Sequence, residues 1–156
     1  MHHVITLIAK YFIVIPVLIA AVVWLKLARR QKLDFIILGF GSAVVAVLLA
    51  KIGSHLFYDP RPFVVGHFTP YFPHGNDNGF VSDHMLFGSL IACVTLVYNR
   101  RLGAIALAFA FLVGIARVVA GVHHLIDIAG AFLIAAVAVW LVNRLLLWWH
   151  NRHKAV

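Results

Sequence analysis

Apolar residues run through this chain in five blocks, at approximately 4–25, 33–57, 83–98, 103–120 and 123–148, separated by short basic clusters and one polar stretch. Blocks close to the roughly 20 apolar residues that carry a helix across a bilayer predict spanning helices. The polar stretch, 58–82, holds four of the five prolines and three glycines among Asn and Asp, which is loop chemistry. It is the only long loop, and no internal repeat or low-complexity tract accompanies it. The pattern predicts an all-α integral membrane protein, a bundle of about five transmembrane helices with one long loop, and residues 1–156 form a single domain.

Composition narrows the reading further. Of 156 residues, 63% are hydrophobic and 12% charged, which leaves little for a separate soluble domain. The first block exceeds 20 residues and shows no small-residue cleavage site before Arg29-Arg30, so it is expected to stay as an anchor. A formal charge of +8 would suit nucleic acid, but the basic residues sit in clusters between apolar blocks, with no polar surface to carry a phosphate-tracking groove. Cys93 stands alone inside an apolar block and is expected to pack.

The basic clusters carry topology instead. Lys26, Arg29, Arg30, Lys32, Arg100, Arg101, Arg144, Arg152 and Lys154 collect on one side, against Lys10, Lys51, Arg61 and Arg117 on the other. Cytoplasmic flanks are enriched in Lys and Arg, so the amino terminus and the long loop face outward and the carboxyl terminus is cytoplasmic. Trp24, Trp140, Trp148 and Trp149 suit an interfacial aromatic belt rather than a cofactor box.

Ionisable groups at membrane depth are costly and tend to face a cavity with partners. Lys51, His84, Arg117, His123 and Asp127 all fall near the outer ends of predicted helices, where they can meet. The cations Lys51, Arg61 and Arg117, in a chain with five Asp and no Glu, call for an anion, and phosphate is the obvious one. His123 and Asp127 are four residues apart, on one face of the last helix; a carboxylate on one imidazole nitrogen leaves the other free as a nucleophile. Ser82-Asp83-His84 opens the third block, where free backbone N–H groups favour an anion and His84 is placed as a general acid.

Each of these has a structural alternative: a satisfied packing element for His or Asp, a helix cap for Ser82-Asp83, snorkelling for Lys51 and Arg61. His124, three residues before Asp127, rivals His123. His2, His3, His150 and His153 are expected to be solvated or interfacial, and His55, His67 and His74 to serve loop structure, with binding of a substrate headgroup as the alternative. A metal- or haem-binding membrane protein is a different class, but no paired His at helical spacing within one span supports it, and three nearby cations would repel a metal ion. A noncatalytic lipid-binding or scaffold protein is the third class.

Taken together, these residues resemble the type-2 phosphatidic-acid phosphatases, whose pattern is a Lys with Arg-Pro, then Ser-x-His, then Arg-x5-His-x3-Asp. The matching residues are Lys51 with Arg61-Pro62, Ser82-Asp83-His84, and Arg117 with His123 and Asp127, covering 51–127. The resemblance implies that Lys51, Arg61, Ser82, Asp83 and Arg117 line the phosphate site, His123 attacks phosphorus, Asp127 orients it and His84 protonates the leaving group, with no metal or other cofactor. Departures are visible: nine residues separate Lys51 from Arg61 where the family has six, and Ser54 stands at the expected place. Val81, Asp83, Ala116 and Leu125 replace common family residues, and the family core has six spans. YDPRPF followed by PHGNDNGFVSDH is similar to bacterial undecaprenyl-pyrophosphate phosphatases of bacitracin resistance. That implies a polyprenyl pyrophosphate substrate at the outer face of a bacterial cytoplasmic membrane. Phosphatidic acid, phosphatidylglycerol phosphate and lipid A phosphate remain rival substrates, and the oligomeric state stays open.

Overall fold

A computed structural model describes residues 1–153; Lys154, counted above with the basic flank, lies outside the described residues. The chain forms α1 (His2–Tyr11), α2 (Val14–Lys26), α3 (Arg29–Leu56), α4 (Pro62–Val65), α5 (Asp83–Tyr98), α6 (Arg100–Val119) and α7 (Leu125–His153). No strand forms among the described residues; Pro60 and Asn78 make one isolated antiparallel bridge.

The helix ends differ from the apolar blocks for local reasons. The first block is broken into α1 and α2 because Pro16 has no N–H for the Phe12 carbonyl, which takes the Ile15 N–H at 3.0 Å in a tighter turn. Helix α3 begins four residues early, as Arg, Gln and Lys are good helix formers and the Gln31 side chain accepts the Ala28 N–H at 3.2 Å. Helix α6 begins three residues early because Asn99 Oδ1 caps the Leu102 N–H at 3.0 Å. Helix α7 starts two residues late, after a turn through Gly121 at φ +78°, so His123 and His124 precede the helix instead of lying on it. Within the 58–82 loop, Pro62 opens the short α4 from the position where its missing N–H is harmless.

Helix α5 is the axis of the bundle. Its Met85, Leu86, Leu90 and Val94 are buried against Ala110 of α6, Ile128, Ala131, Ala135 and Ala138 of α7, and Leu38 and Ala46 of α3. The partners are mostly small, as close helix approach without a strong hydrophobic drive requires. Large apolar side chains such as Phe40, Leu48, Leu133 and Trp140 point outward, and among the described residues four helical stretches, counting α1 and α2 together, are long and apolar enough to cross a membrane. At 16 residues α5 is shorter, about 24 Å by helical rise against a hydrocarbon core of roughly 30 Å.

The two ends of the bundle are distinct. His2 stacks on Tyr71 of the loop at 4.0 Å, so the amino terminus and the loop share one end. His150 meets Asp34 at 3.4 Å, so the end of α7 and the start of α3 share the other. Asn78 fastens the loop to α3: its Nδ2 donates to the Ser54 and Phe57 carbonyls at 2.9 and 3.0 Å, while its Oδ1 accepts the Asp59 and Phe80 N–H groups.

Glycine marks the tightest helix contact. A Cβ on Gly103 would stand 2.5 Å from the Leu96 backbone, whereas one on Gly39 would meet nothing within 4 Å. Gly103→Ala is therefore expected to destabilise by about 1–3 kcal/mol, as overpacking does. Gly39→Ala should be neutral or stabilising by up to about 1 kcal/mol. Thermal midpoints in detergent check both, and equal midpoints would contradict the packing described.

Candidate active site

The site lies where the loop closes over the facing ends of α5, α6 and α7. Its base is Asp127, fully buried in the first turn of α7. Asp127 Oδ2 accepts the backbone N–H of His124 at 2.9 Å, an interaction from the third helical position back to the helix cap. The same oxygen accepts Nδ1–H of His123 at 3.1 Å. Gly79 leaves room for this carboxylate, since a Cβ there would come within 3.1 Å of Oδ2.

With its proton on Nδ1, His123 presents an unprotonated Nε2, and Arg61 Nη1 lies 3.4 Å from it. A guanidinium offers only donors, so this contact favours the same tautomer. Arg61 is itself buried and held from three directions: Nε donates to Asp77 at 2.9 Å, Nη1 to the Val122 carbonyl at 2.9 Å and Nη2 to the Asn78 carbonyl at 3.5 Å. Asp77 is largely exposed, and its bond to Arg61 holds its carboxyl below the usual range. Burial, reinforced by the charges of Arg117 and Arg61, keeps the His123 imidazole below its ordinary value against the opposing pull of Asp127.

Arg117, near the end of α6, is buried beside Phe72 and donates from Nη1 to the Ala9 carbonyl at 3.3 Å. Its Nη2 donates to His74 Nε2 at 3.0 Å. Loop structure is the expectation from sequence for His74, with headgroup binding as the alternative; nothing in its spacing from the motif residues announces this contact with Arg117. The His74 ring is 6.0 Å from that of His123.

Ser82 caps α5 by position, but its side chain makes no cap bond; Oγ is buried without a partner among the described residues. The N–H groups of Asp83, His84 and Met85 precede the first intrahelical bond, which Leu86 gives to the Ser82 carbonyl at 2.8 Å. Asp83 is exposed and His84 half-buried in this first turn.

Lys51 stands apart. It is exposed on α3 and lines, with Ser54, Arg61, Asp77, Asn78 and Asp83, a cavity of about 360 Å³ walled by Val47, Phe80 and Phe87. The Ser54 hydroxyl turns back to the Lys51 carbonyl at 3.0 Å. The rings of His123 and His124 part company: His124 Nδ1 pairs with Asp59 Oδ2 at 2.8 Å and its side chain is 40% exposed, against 2% for His123. Asp59, His124 and Asp127 bring one ligand-type atom each within 4.8 Å, a grouping built from these hydrogen bonds.

A buried nucleophile-type imidazole, an orienting carboxylate, two buried guanidiniums and an open helix amino terminus make an anion site on a helical membrane bundle. The PAP2 superfamily profile matches residues 33–151, and the chain belongs to that family. It is an all-α integral membrane protein and a phosphatase of the PAP2 type. Over 140 residues it is 30% identical to "Undecaprenyl-diphosphatase BcrC" of Bacillus subtilis (strain 168), covering 88% of this chain and 70% of that one. It is 29% identical over 143 residues to "Bacitracin transport permease protein BcrC" of Bacillus licheniformis, covering 91% and 70%. The crystal structure of a transmembrane PAP2-type phosphatidylglycerolphosphate phosphatase from Bacillus subtilis shares the fold, with a TM-score of 0.60 at 22% identity over 92% of this chain and 75% of that one.

The electrostatics carry a direct expectation. In a histidine-labelled sample, the nitrogen shifts of His123 should report the Nδ1–H tautomer and a titration below 6.5, its ordinary value. A titration at or above that value would contradict the burial and cationic surroundings described.

Proposed function

We propose that this chain hydrolyses undecaprenyl pyrophosphate to undecaprenyl phosphate and inorganic phosphate through a phosphohistidine on His123. The observation that carries the reading is the buried sequence Arg61, His123, Asp127, in which one imidazole nitrogen is tied to a carboxylate and the other faces a cation. The similarity to a protein named undecaprenyl-diphosphatase supports the choice of substrate.

In the first step the Nε2 lone pair attacks the terminal phosphorus and the P–O bond to the lipid phosphate breaks. His84 gives its proton to the departing oxygen, and Asp127 steadies the imidazolium that forms. In the second step water attacks phosphorus and loses a proton to His84, while the P–N electron pair returns to His123 and inorganic phosphate leaves. Arg61, Arg117, the Ser82 hydroxyl and the N–H groups from Asp83 onward receive the equatorial oxygens. These charges do what a metal ion does in other phosphoryl transfers, so the reaction runs without metal. Lys51, in the cavity beside Arg61, meets the lipid-proximal phosphate. Residues 1–156 act as one unit, with the site on the outer face of a bacterial cytoplasmic membrane, as the distribution of Lys and Arg indicates.

Brief incubation with labelled polyprenyl pyrophosphate and an alkaline quench should leave acid-labile label on His123. His123→Ala should lose at least about a thousandfold in kcat/KM, and Asp127→Asn at least about a hundredfold. Label on His124, or full activity in His123→Ala, would sink the mechanism. Hydrolysis of phosphatidylglycerol phosphate but not of polyprenyl pyrophosphate would sink the substrate, and loss of activity in chelator would sink metal independence.

Orientation is open to a separate check. A cysteine at Thr69 should react with a membrane-impermeant maleimide in intact cells, and one at Arg30 should not; the reverse labelling would invert the topology.

A further inference from the structure

Four histidines, His74, His84, His123 and His124, gather near the site, and the three family motifs use two of them. His74 belongs to none of the motifs, yet it stands between the two groups on which phosphate binding and attack are proposed to depend. Arg117 Nη2 donates to its Nε2 at 3.0 Å, and its ring is 6.0 Å from the ring of His123 at an interplanar angle of 78°.

The tautomer follows from the partner. A guanidinium can only donate, so Nε2 of His74 is the acceptor and the ring proton resides on Nδ1. That Nδ1 is buried and has no hydrogen-bond partner among the described residues. A buried donor left unpaired is expensive, and native structures rarely tolerate one without a reason. The segment that carries it is firmly docked: Tyr71 N–H donates to the Ala120 carbonyl at 3.1 Å, and Phe72 packs under both Lys10 and Arg117 at 4.8 and 5.8 Å. The unpaired donor is therefore built into a fixed part of the loop.

We propose that His74 is a further ligand of the transferred phosphoryl group, donating Nδ1–H to an oxygen of the phosphate that Arg117 holds. This rests on the phosphatase reading above and adds a residue to it. Burial, with the charges of Arg61 and Arg117, holds the His74 imidazole below its ordinary value. It therefore works as a neutral donor. His74 extends Arg117: one nitrogen braces the guanidinium and the other meets the anion.

The two nitrogens can be separated by substitution in the full-length protein in detergent. Asn places an amide near the position of Nδ1, and Gln reaches toward that of Nε2. His74→Ala should lower kcat/KM on polyprenyl pyrophosphate about 10- to 100-fold and weaken inhibition by orthovanadate, a mimic of the transferred phosphoryl group, by a similar factor. His74→Asn should recover at least about tenfold of both losses, and His74→Gln should stay near His74→Ala. Recovery by Gln and not Asn would mean that His74 only braces Arg117, and would overturn the proposal. Equal impairment of all three, or wild-type behaviour of all three, would overturn it as well. Thermal midpoints confirm that each variant is folded, and the shift of the midpoint on adding vanadate reads binding independently of turnover. His123→Ala in the same assay tests the underlying reading separately: its full activity would remove the phosphohistidine, whereas the Asn and Gln comparison decides His74 alone.

Discussion

Everything at the site hangs from the Asp127 carboxylate. It is fully buried, and a buried carboxylate is tolerable only when strong donors surround it. The ring of His123 and the backbone N–H of His124 both donate to Oδ2, while Oδ1 has no partner among the described residues; the contacts on Oδ2 also set the tautomer of His123 and the start of α7. The carboxylate thus fixes the chain direction entering α7 and the direction in which the imidazole lone pair points.

Around that pair the fold solves an electrostatic difficulty. Arg61 and Arg117 are both buried, and each is held by neutral acceptors or an exposed carboxylate rather than by a buried counter-ion: Val122, Asn78 and Asp77 for Arg61, Ala9 and His74 for Arg117. Neutral acceptors orient a guanidinium without cancelling its charge, and the one carboxylate on Arg61, Asp77, lies at the exposed rim. An unpartnered Ser82 hydroxyl and the open amino terminus of α5 add to the same field. Helix α5 packs against α2, α3, α6 and α7, and its first turn runs from the buried Ser82 to the exposed Asp83.

The small-residue packing of the bundle and the polar stapling of the loop serve the same geometry. Ala110, Ala131 and Ala135 let α6 and α7 close on α5, which brings Arg117 and Asp127 to a common level. Asn78 ties the loop to the end of α3 and lends its own carbonyl to Arg61, so loop position and guanidinium position are coupled. The cavity beside Arg61 is walled on its apolar side by Val47 of α3, Phe80 of the loop and Phe87 of α5.

Much of this was legible in the linear chain. Long apolar blocks in a bilayer admit one solution, helices, because a backbone in hydrocarbon must satisfy its own hydrogen bonds. The 83–98 block became α5 without change, and the spacing of His123 and Asp127 foretold their contact even though His123 lies before the helix rather than on it. Helix ends escaped the pattern because they depend on single bonds, such as the Asn99 cap and the missing N–H of Pro16, that hydrophobicity does not register. The places of Lys51, His74 and His124 escaped it for another reason. Sequence lists which ionisable side chains stand near one face of the membrane, but how a 25-residue loop folds over the helix ends decides which of them touch, and that turns on contacts between residues 43 to 65 positions apart.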